Sequence, residues 1–206
     1  MYVPRSNAVD DDARIREFVR TAGAADLVSV GSDGVPTATL LPIVWNGSRV
    51  VAHFARANPH WSHLRDGDRV LLIVNGPQAY VTPTWYPTKQ EHGRVVPTWN
   101  YTSVHLTGTV RILEDDADVR EAVRLLTELH ESPRTDPWDL DDPPPGFIDG
   151  MLRAIVGVEI TVERVEAKAK LSQNRSDADR AGVIAGLRGE DDVRGEHRVA
   201  ALMDEA

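Results

Sequence analysis

Apolar positions recur along this chain first at helical spacing and then at strand spacing. Between Asp10 and Ala22, the residues Ile15, Phe18, Val19 and Ala22 fall on one helical face. The run Asp10-Asp11-Asp12 offers an N-cap and favourable charge at the positive end of the helix dipole, and Gly23 offers a stop. Short β-branched or alternating segments follow at 27–30, 35–45, 49–55, 70–74, 78–84 and 101–113. Gly31-Ser32-Asp33-Gly34 and Asn46-Gly47 supply hairpin turns, and 59–65 reads as a short helix. A second amphipathic helix is expected over 117–131, with Val119, Ala122, Val123, Leu126 and Leu129 on one face and Pro133 as its stop. The Pro- and Asp-rich stretch 132–146 reads as loop, 147–153 as a short helix, 155–165 as a last strand, and 177–206 as polar helix interrupted at Gly189.

That order predicts a mostly β fold with peripheral helices, in which about six or seven antiparallel strands form a closed or split barrel. Residues 1–170 would form the barrel domain, and residues 171–206 a C-terminal polar segment and helix packed on the barrel or on a partner. No Gly-rich dinucleotide or P-loop signature follows any strand.

Composition narrows the chemistry. The 206 residues contain no cysteine, which excludes disulfides, thiolate metal sites and cysteine nucleophiles and fits a cytoplasmic protein. The N-terminal stretch has no signal-like apolar run, and no segment reaches transmembrane length. The net charge of −9 argues against a large basic surface for nucleic acid.

Four segments can carry function. The first runs from strand to helix through His53-Phe54-Ala55-Arg56-Ala57-Asn58-Pro59-His60-Trp61. Asn58 as N-cap, Pro59 at the first helical position and donors on Arg56 and His60 make a phosphate seat, or equally a capped helix with solvated side chains. The second is the stretch 80–101, where Pro-Thr-Trp occurs twice, at Pro83-Thr84-Trp85 and Pro97-Thr98-Trp99. Thr84, Trp85, Tyr86, Trp99, Asn100 and Tyr101 combine flat aromatic surface with polar groups, as ligand pockets do, although tryptophan also covers cores and interfaces. Histidines at 53, 60 and 63 lie close in sequence but lack the spacing of a metal motif. The fourth segment, Lys168-Ala169-Lys170-Leu171-Ser172-Gln173-Asn174-Arg175, is the densest basic patch in an acidic chain. It binds an anion, a cofactor edge or a partner, or serves as a polar linker.

These segments together resemble a known family. The residues are Met1-Tyr2-Val3-Pro4, the segment from Ala55 to Trp61, Gly76-Pro77-Gln78-Ala79-Tyr80, Trp85-Tyr86-Pro87-Thr88-Lys89, Val96-Pro97-Thr98-Trp99-Asn100-Tyr101 and Lys170-Leu171-Ser172-Gln173-Asn174-Arg175. In order and spacing they are similar to PaiB-type FMN-binding negative transcriptional regulators. The resemblance implies an antiparallel split β-barrel of the FMN-binding type, the fold of pyridoxamine phosphate oxidases. It also implies FMN as cofactor, a homodimer, and contact with DNA. By the same resemblance Arg56, Asn58 and His60, with Trp61 beside them, would hold the phosphate. Thr84, Trp85, Trp99 and Asn100 would line the isoalloxazine pocket, so that Trp85 and Trp99 lie close together. Ser172, Gln173, Asn174 and Arg175 would reach the site. One position departs: the family commonly reads A-T-H-L-P where this chain has Ala38-Thr39-Leu40-Leu41-Pro42, and leucine neither donates a hydrogen bond nor ligates a metal. The expected function is an FMN-binding regulator whose action is indirect. The alternatives are an FMN-dependent oxidoreductase acting on a small molecule and, further off, a haem-binding protein.

Overall fold

Asp11 accepts hydrogen bonds from the backbone of Ala13 (2.9 Å) and Arg14 (3.2 Å), and this cap starts the first helix, α1 (Asp12–Ala22). The computed structural model describes residues 1–205. After α1 come β1 (Ala24–Val30), β2 (Pro36–Pro42), β3 (Val44–Asn46) and β4 (Arg49–Ala55). A 3₁₀ turn at Trp61–His63 stands where the short helix over 59–65 was expected. Then follow β5 (Arg69–Val81), a 3₁₀ turn at Pro83–Trp85, α2 (Thr88–His92), β6 (Thr98–Leu113), α3 (Asp116–Glu131), α4 (Phe147–Leu152) and β7 (Ile155–Lys170). Two helices, α5 (Asp177–Gly189) and α6 (Glu196–Asp204), close the chain.

The strands form one seven-stranded sheet in the order β2-β1-β5-β6-β7-β4-β3. It is open, with β2 and β3 as its edges. The segment 35–45, read from sequence as one strand, is two. Pro42 has no amide to give to a ladder, and Ile43 is buried and bonded instead to Gly23 O (2.9 Å). Residues before that point pair with β1, from Ala24 opposite Pro42 to Val30 opposite Pro36. Residues after it pair with β4, from Val44 opposite Val51 to Asn46 opposite Arg49. Conversely, the separate strands expected over 70–74 and 78–84 are one continuous β5.

The chain resolves into two compact units. The first comprises Met1–Ile15, Asn75–Val104 and the chain from Glu166 onward, and the second comprises Arg16–Val74 and His105–Val165. In the second unit, α3 begins at Asp115, whose carboxylate accepts from Ala117 N (2.9 Å). It lays Val119 and Ala122 against Val51, Leu113 and Leu152. In the first unit, Ala79, Val81 and Tyr86 pack with Leu171 and with Val183, Leu187, Val199, Ala200 and Met203 from α5 and α6. The C-terminal helices are therefore part of that unit's core.

Two glycines let α5 meet the 3₁₀ turn directly. A Cβ on Gly186 would lie 2.3 Å from the Trp85 ring, and one on Gly182 would lie 2.1 Å from the Trp85 carbonyl oxygen. A Cβ on Gly189 meets nothing. Alanine improves helix propensity by about 1 kcal/mol over glycine, but overpacking costs about 1–3 kcal/mol. Gly186→Ala is therefore expected to lower the melting temperature while Gly189→Ala leaves it unchanged or raises it, as differential scanning calorimetry of the two variants will show.

Candidate functional site

In the second unit, the strand end at β4 and the following turn assemble a dense polar network. His60 is 2 % exposed. Its Nε2 lies 2.8 Å from Ser29 Oγ on β1, and its Nδ1 lies 2.8 Å from Thr39 Oγ1 on β2. Asn58 closes the turn by accepting from His60 N (2.9 Å), and its amide reaches Thr39 Oγ1 (3.4 Å). Trp61 Nε1 donates to Arg56 O (2.8 Å). The Arg56 guanidinium donates to Arg153 O and Ile155 O, each at 3.0 Å, and lies 3.8 Å from Glu114. The structure thus brings Arg56, Asn58, His60 and Trp61 together, and their donors largely serve one another and the neighbouring backbone. Burial, aided by His63, pushes the His60 pKa below its ordinary 6.5, and burial does the same to His53. Burial thus favours the neutral form of both imidazoles. Leu40, at the position where the resemblance has histidine, is solvent-exposed on the edge strand opposite Asp26.

In the first unit, the start of β6 meets the end of β7. Asn100 is completely buried; its amide nitrogen donates to Ser172 Oγ (3.0 Å), and the Ser172 hydroxyl lies 3.2 Å from Asn100 Oδ1. Ser172 adopts a left-handed backbone conformation, φ 62°, a strained choice for a residue with a Cβ. Lys170 Nζ donates to Thr98 Oγ1 (2.5 Å) and Trp99 O (2.6 Å). Gln173 turns back on its own segment, donating to Ala169 O (2.5 Å) and accepting from Leu171 N (2.8 Å). Arg175 stacks its guanidinium 4.7 Å from the centre of the Tyr86 ring, and Asn174 is exposed. Lys168 Nζ donates to Tyr2 O (3.1 Å) and lies 5.0 Å from the Tyr101 ring centre. Burial foremost, then the charges of Lys168 and Arg175, pushes the Lys170 pKa down.

The two Pro-Thr-Trp segments have different surroundings. Thr84 and Trp85 form a 3₁₀ turn against α5. Trp99 lies on β6, donates from Nε1 to Gln78 Oε1 (3.1 Å) and faces Tyr80 at a ring separation of 6.4 Å. Among the described residues no ring contact joins Trp85 to Trp99. Several residues outside the sequence assignment now matter. Ser29 and Thr39 bracket His60; strand alternation marked Ser29, and Thr39 stood in the Ala38–Pro42 segment without a role of its own. Lys168, Lys170 and Tyr86 lay in segments singled out for their composition. A shallow groove of about 550 Å³ in the second unit is lined by Arg49, Asp66, Arg111 and Glu159 among others. Its charges answer each other, since both arginines pair with Glu159 at 3.2 and 3.4 Å. No group of three or more histidine or acidic side chains suited to a metal occurs among the described residues, and no helix there is long and apolar enough to cross a membrane.

An open antiparallel sheet carrying peripheral helices, with polar stations at the strand ends, places the protein among flavin-binding split barrels. Residues 1–164 match the family described as "Putative FMN-binding domain", and the chain belongs to that family. It is 34% identical over 209 residues to "Protease synthase and sporulation protein PAI 2" of Bacillus subtilis, covering 100% of this chain and 97% of that one. Solved structures share the fold at low identity. The FAD and haem binding protein from Mycobacterium smegmatis superposes with a TM-score of 0.59 at 16% identity, over 85% of this chain and 79% of that one. The flavocytochrome Anf3 from Azotobacter vinelandii gives 0.58 at 18% identity, over 87% and 78%.

FMN is the family's cofactor, and the donor chemistry of the first unit fits it. An FMN molecule presents a phosphate, an apolar ring face and an amide-like ring edge. Lys168, Lys170 and Arg175 pair with no carboxylate among the described residues. Tyr80 and Trp99 are 46 % and 37 % exposed, and the Gln78 carboxamide stands against Trp99.

Two outcomes follow from this geometry. Ser172→Ala strips the buried Asn100 side chain of its hydroxyl partner, leaving its amide nitrogen only the weak acceptor Met203 Sδ (3.4 Å), and leaving a buried polar group unsatisfied costs about 1–3 kcal/mol; chemical denaturation of the variant should show that loss. The histidines give a pH dependence. In the unfolded chain they return to about 6.5, so below that value the unfolded state binds more protons than the folded one. Their contribution is complete above 6.5 and is lost as pH falls through the depressed folded values. Melting temperatures measured from neutral pH downward should fall, and His60→Gln should make the fall shallower.

Proposed function

We propose that this FMN-binding protein is a regulator that works in the cytoplasm as a homodimer and influences transcription through a protein partner instead of gripping DNA itself. The observation that carries this reading is the matching of charge on its helices. On α1, Arg20 pairs with Glu17. On α3, Arg120 pairs with Asp149 and Arg124 with both Glu121 and Glu128. On α5, Arg188 pairs with Asp204, and Arg180 donates to the backbone oxygens of Leu171 and Met203. Helices that track a duplex instead present unmatched cations along one face to displace counterions from phosphates. With a net charge of −9, long-range repulsion from DNA adds to this local neutrality.

In this reading the flavin lies in the first unit, its ring against the exposed Tyr80 and Trp99 side chains and its polar edge toward Gln78. A bound flavin supplies a reversible two-electron redox group. The protein's own part is to hold it, to limit water on one face with the two aromatics, and to present the resulting surface to the partner. Two measurements test the reading together. Denaturing the purified protein should release FMN, identified by chromatography. A mobility-shift titration against its own promoter region should show no sequence-specific complex at any salt concentration. A specific complex that weakens steeply with salt would instead establish direct DNA binding.

A further inference from the structure

One face of the sheet in the second unit, built by β2, β1 and β5, carries a single carboxylate amid apolar side chains. The strand register fixes which residues share it. Leu40, Asp26 and Ile73 stand side by side in one row, and Ala38, Val28 and Leu71 in the next. Val30 continues that face on β1, and Arg69, two residues before Leu71, continues it on β5. The alternate residues Leu27, Leu41 and Leu72 are buried on the opposite face. Leu40 and Val30 are 67 % and 63 % exposed, and Val28, Leu71 and Ile73 are half-buried. A contiguous exposed apolar surface of this kind marks an interaction site. Among the described residues the Asp26 carboxylate makes no hydrogen bond or ion pair. Arg69 pairs with Glu163 at 3.5 Å, with both side chains exposed to solvent.

We propose that two copies of the chain associate through this face, with Asp26 of each copy answered by the partner's Arg69. The inference rests on the homodimer of the proposed function and adds to it the face and the residues that select it. In a two-fold interface every contact made by one copy is made in reverse by the other. An axis running along the Ala38–Val28–Leu71 row stacks that row on itself and exchanges the two ends of the face. Asp26, at one end, then meets the end that carries Arg69, and the same pair forms twice. The two Asp26 carboxylates stay two rows, roughly 13 Å, apart along the strands, so like charges do not face each other. The same spacing keeps Arg69 from answering Asp26 within one copy. A partner bringing only apolar surface would bury an unpaired carboxylate, which is strongly unfavourable. The exposed Arg69–Glu163 pair contributes little, so exchanging it for a less solvated pair across the interface costs little. A negative end, an apolar middle and a positive end match their own two-fold image, whereas a partner of one charge sign matches only one end.

Sedimentation velocity of the purified protein over a concentration series reads the association directly. Four variants probe the face: Leu40→Glu, Asp26→Lys, Arg69→Glu, and the double variant Asp26→Lys/Arg69→Glu. Wild type should sediment as a dimer. Leu40→Glu and each single charge reversal should raise the dimer dissociation constant by about ten- to a hundred-fold, and the double variant should recover most of that loss. The recovery reads a contact between copies, because within one copy the two positions lie at opposite ends of the face and the double variant still leaves Glu163 without its arginine. Far-UV circular dichroism of the dilute variants should match wild type, which separates loss of association from loss of fold. A dimer whose dissociation constant none of the variants changes overturns this face and leaves the homodimer reading standing. A double variant no tighter than the single reversals overturns the pairing of Asp26 with Arg69. A wild type that stays monomeric at every concentration overturns both the face and the homodimer, and leaves the apolar surface to a different protein.

Discussion

A carboxamide with no water to turn to governs how the chain leaves its last strand. Asn100 is completely enclosed, and a buried amide must find partners inside the protein. Ser172 provides the oxygen partners, with Met203 Sδ beside them (3.4 Å), and Ser172 takes the left-handed backbone conformation that residues other than glycine avoid. That turn ends β7, lets Arg175 N close on Ser172 O (3.0 Å), and delivers Ser176 to cap α5 through a bond from Asp179 N (3.2 Å). The helix so placed brings Val183 and Leu187 into the core of the first unit. The strain at Ser172 and the satisfaction of Asn100 are one bargain: neither makes sense without the other.

Electrostatics in this protein divide into matched and unmatched charge. Surface pairs such as Arg20 with Glu17 contribute little to stability, about 0–1 kcal/mol each, but they match charge locally on α1, α3 and α5. Lys168, Lys170 and Arg175 differ. Burial foremost, and then the charges of Lys168 and Arg175, push the Lys170 pKa down, so the three cations repel one another. Aromatic faces at Tyr86 and Tyr101 soften the repulsion but do not cancel it. In a chain of net charge −9, acidic residues were plentiful enough to neutralise this cluster. Among the described residues these three cations stand close together with no carboxylate partner, held instead by backbone oxygens, Thr98 and aromatic faces.

Much of the fold was legible in the sequence because its strands obey simple alternation. The strand over 49–55 and the helix beginning near 117 were read almost to the residue. The misreadings share a cause. Pro42 and Gly76-Pro77 look alike as strand breakers, yet only the first divides a strand. At Ile43 the amide finds Gly23 O, off the ladder, whereas β5 runs through Pro77, whose carbonyl accepts from Thr102 Oγ1 (3.5 Å). Likewise β7 extends to Lys170, past the expected end at 165, because its charged residues find partners at Tyr2 and Thr98, far away in the chain. The functional segments were visible as motifs. Their contacts were not: nothing local in Asn100 or Ser172 announces that each satisfies the other.

The doubled Pro-Thr-Trp makes the same point from identical residues. At 83–85 the tripeptide is a 3₁₀ turn, capped by Thr82 Oγ1 accepting from Thr84 N (3.2 Å). At 97–99 the same residues lead into a strand, and Thr98 accepts from Lys170. Local propensity is equal in the two copies, so it cannot choose between them. The choice falls to distant partners. On α5, Gly186 leaves room for the Trp85 indole and Gly182 for the Trp85 carbonyl, so one tryptophan packs directly on the helix. The other tryptophan has Gln78 and Tyr80 for neighbours and keeps an exposed face. One copy is therefore committed to packing and the other remains free to meet a ligand, a division of labour set by tertiary context acting on one short sequence.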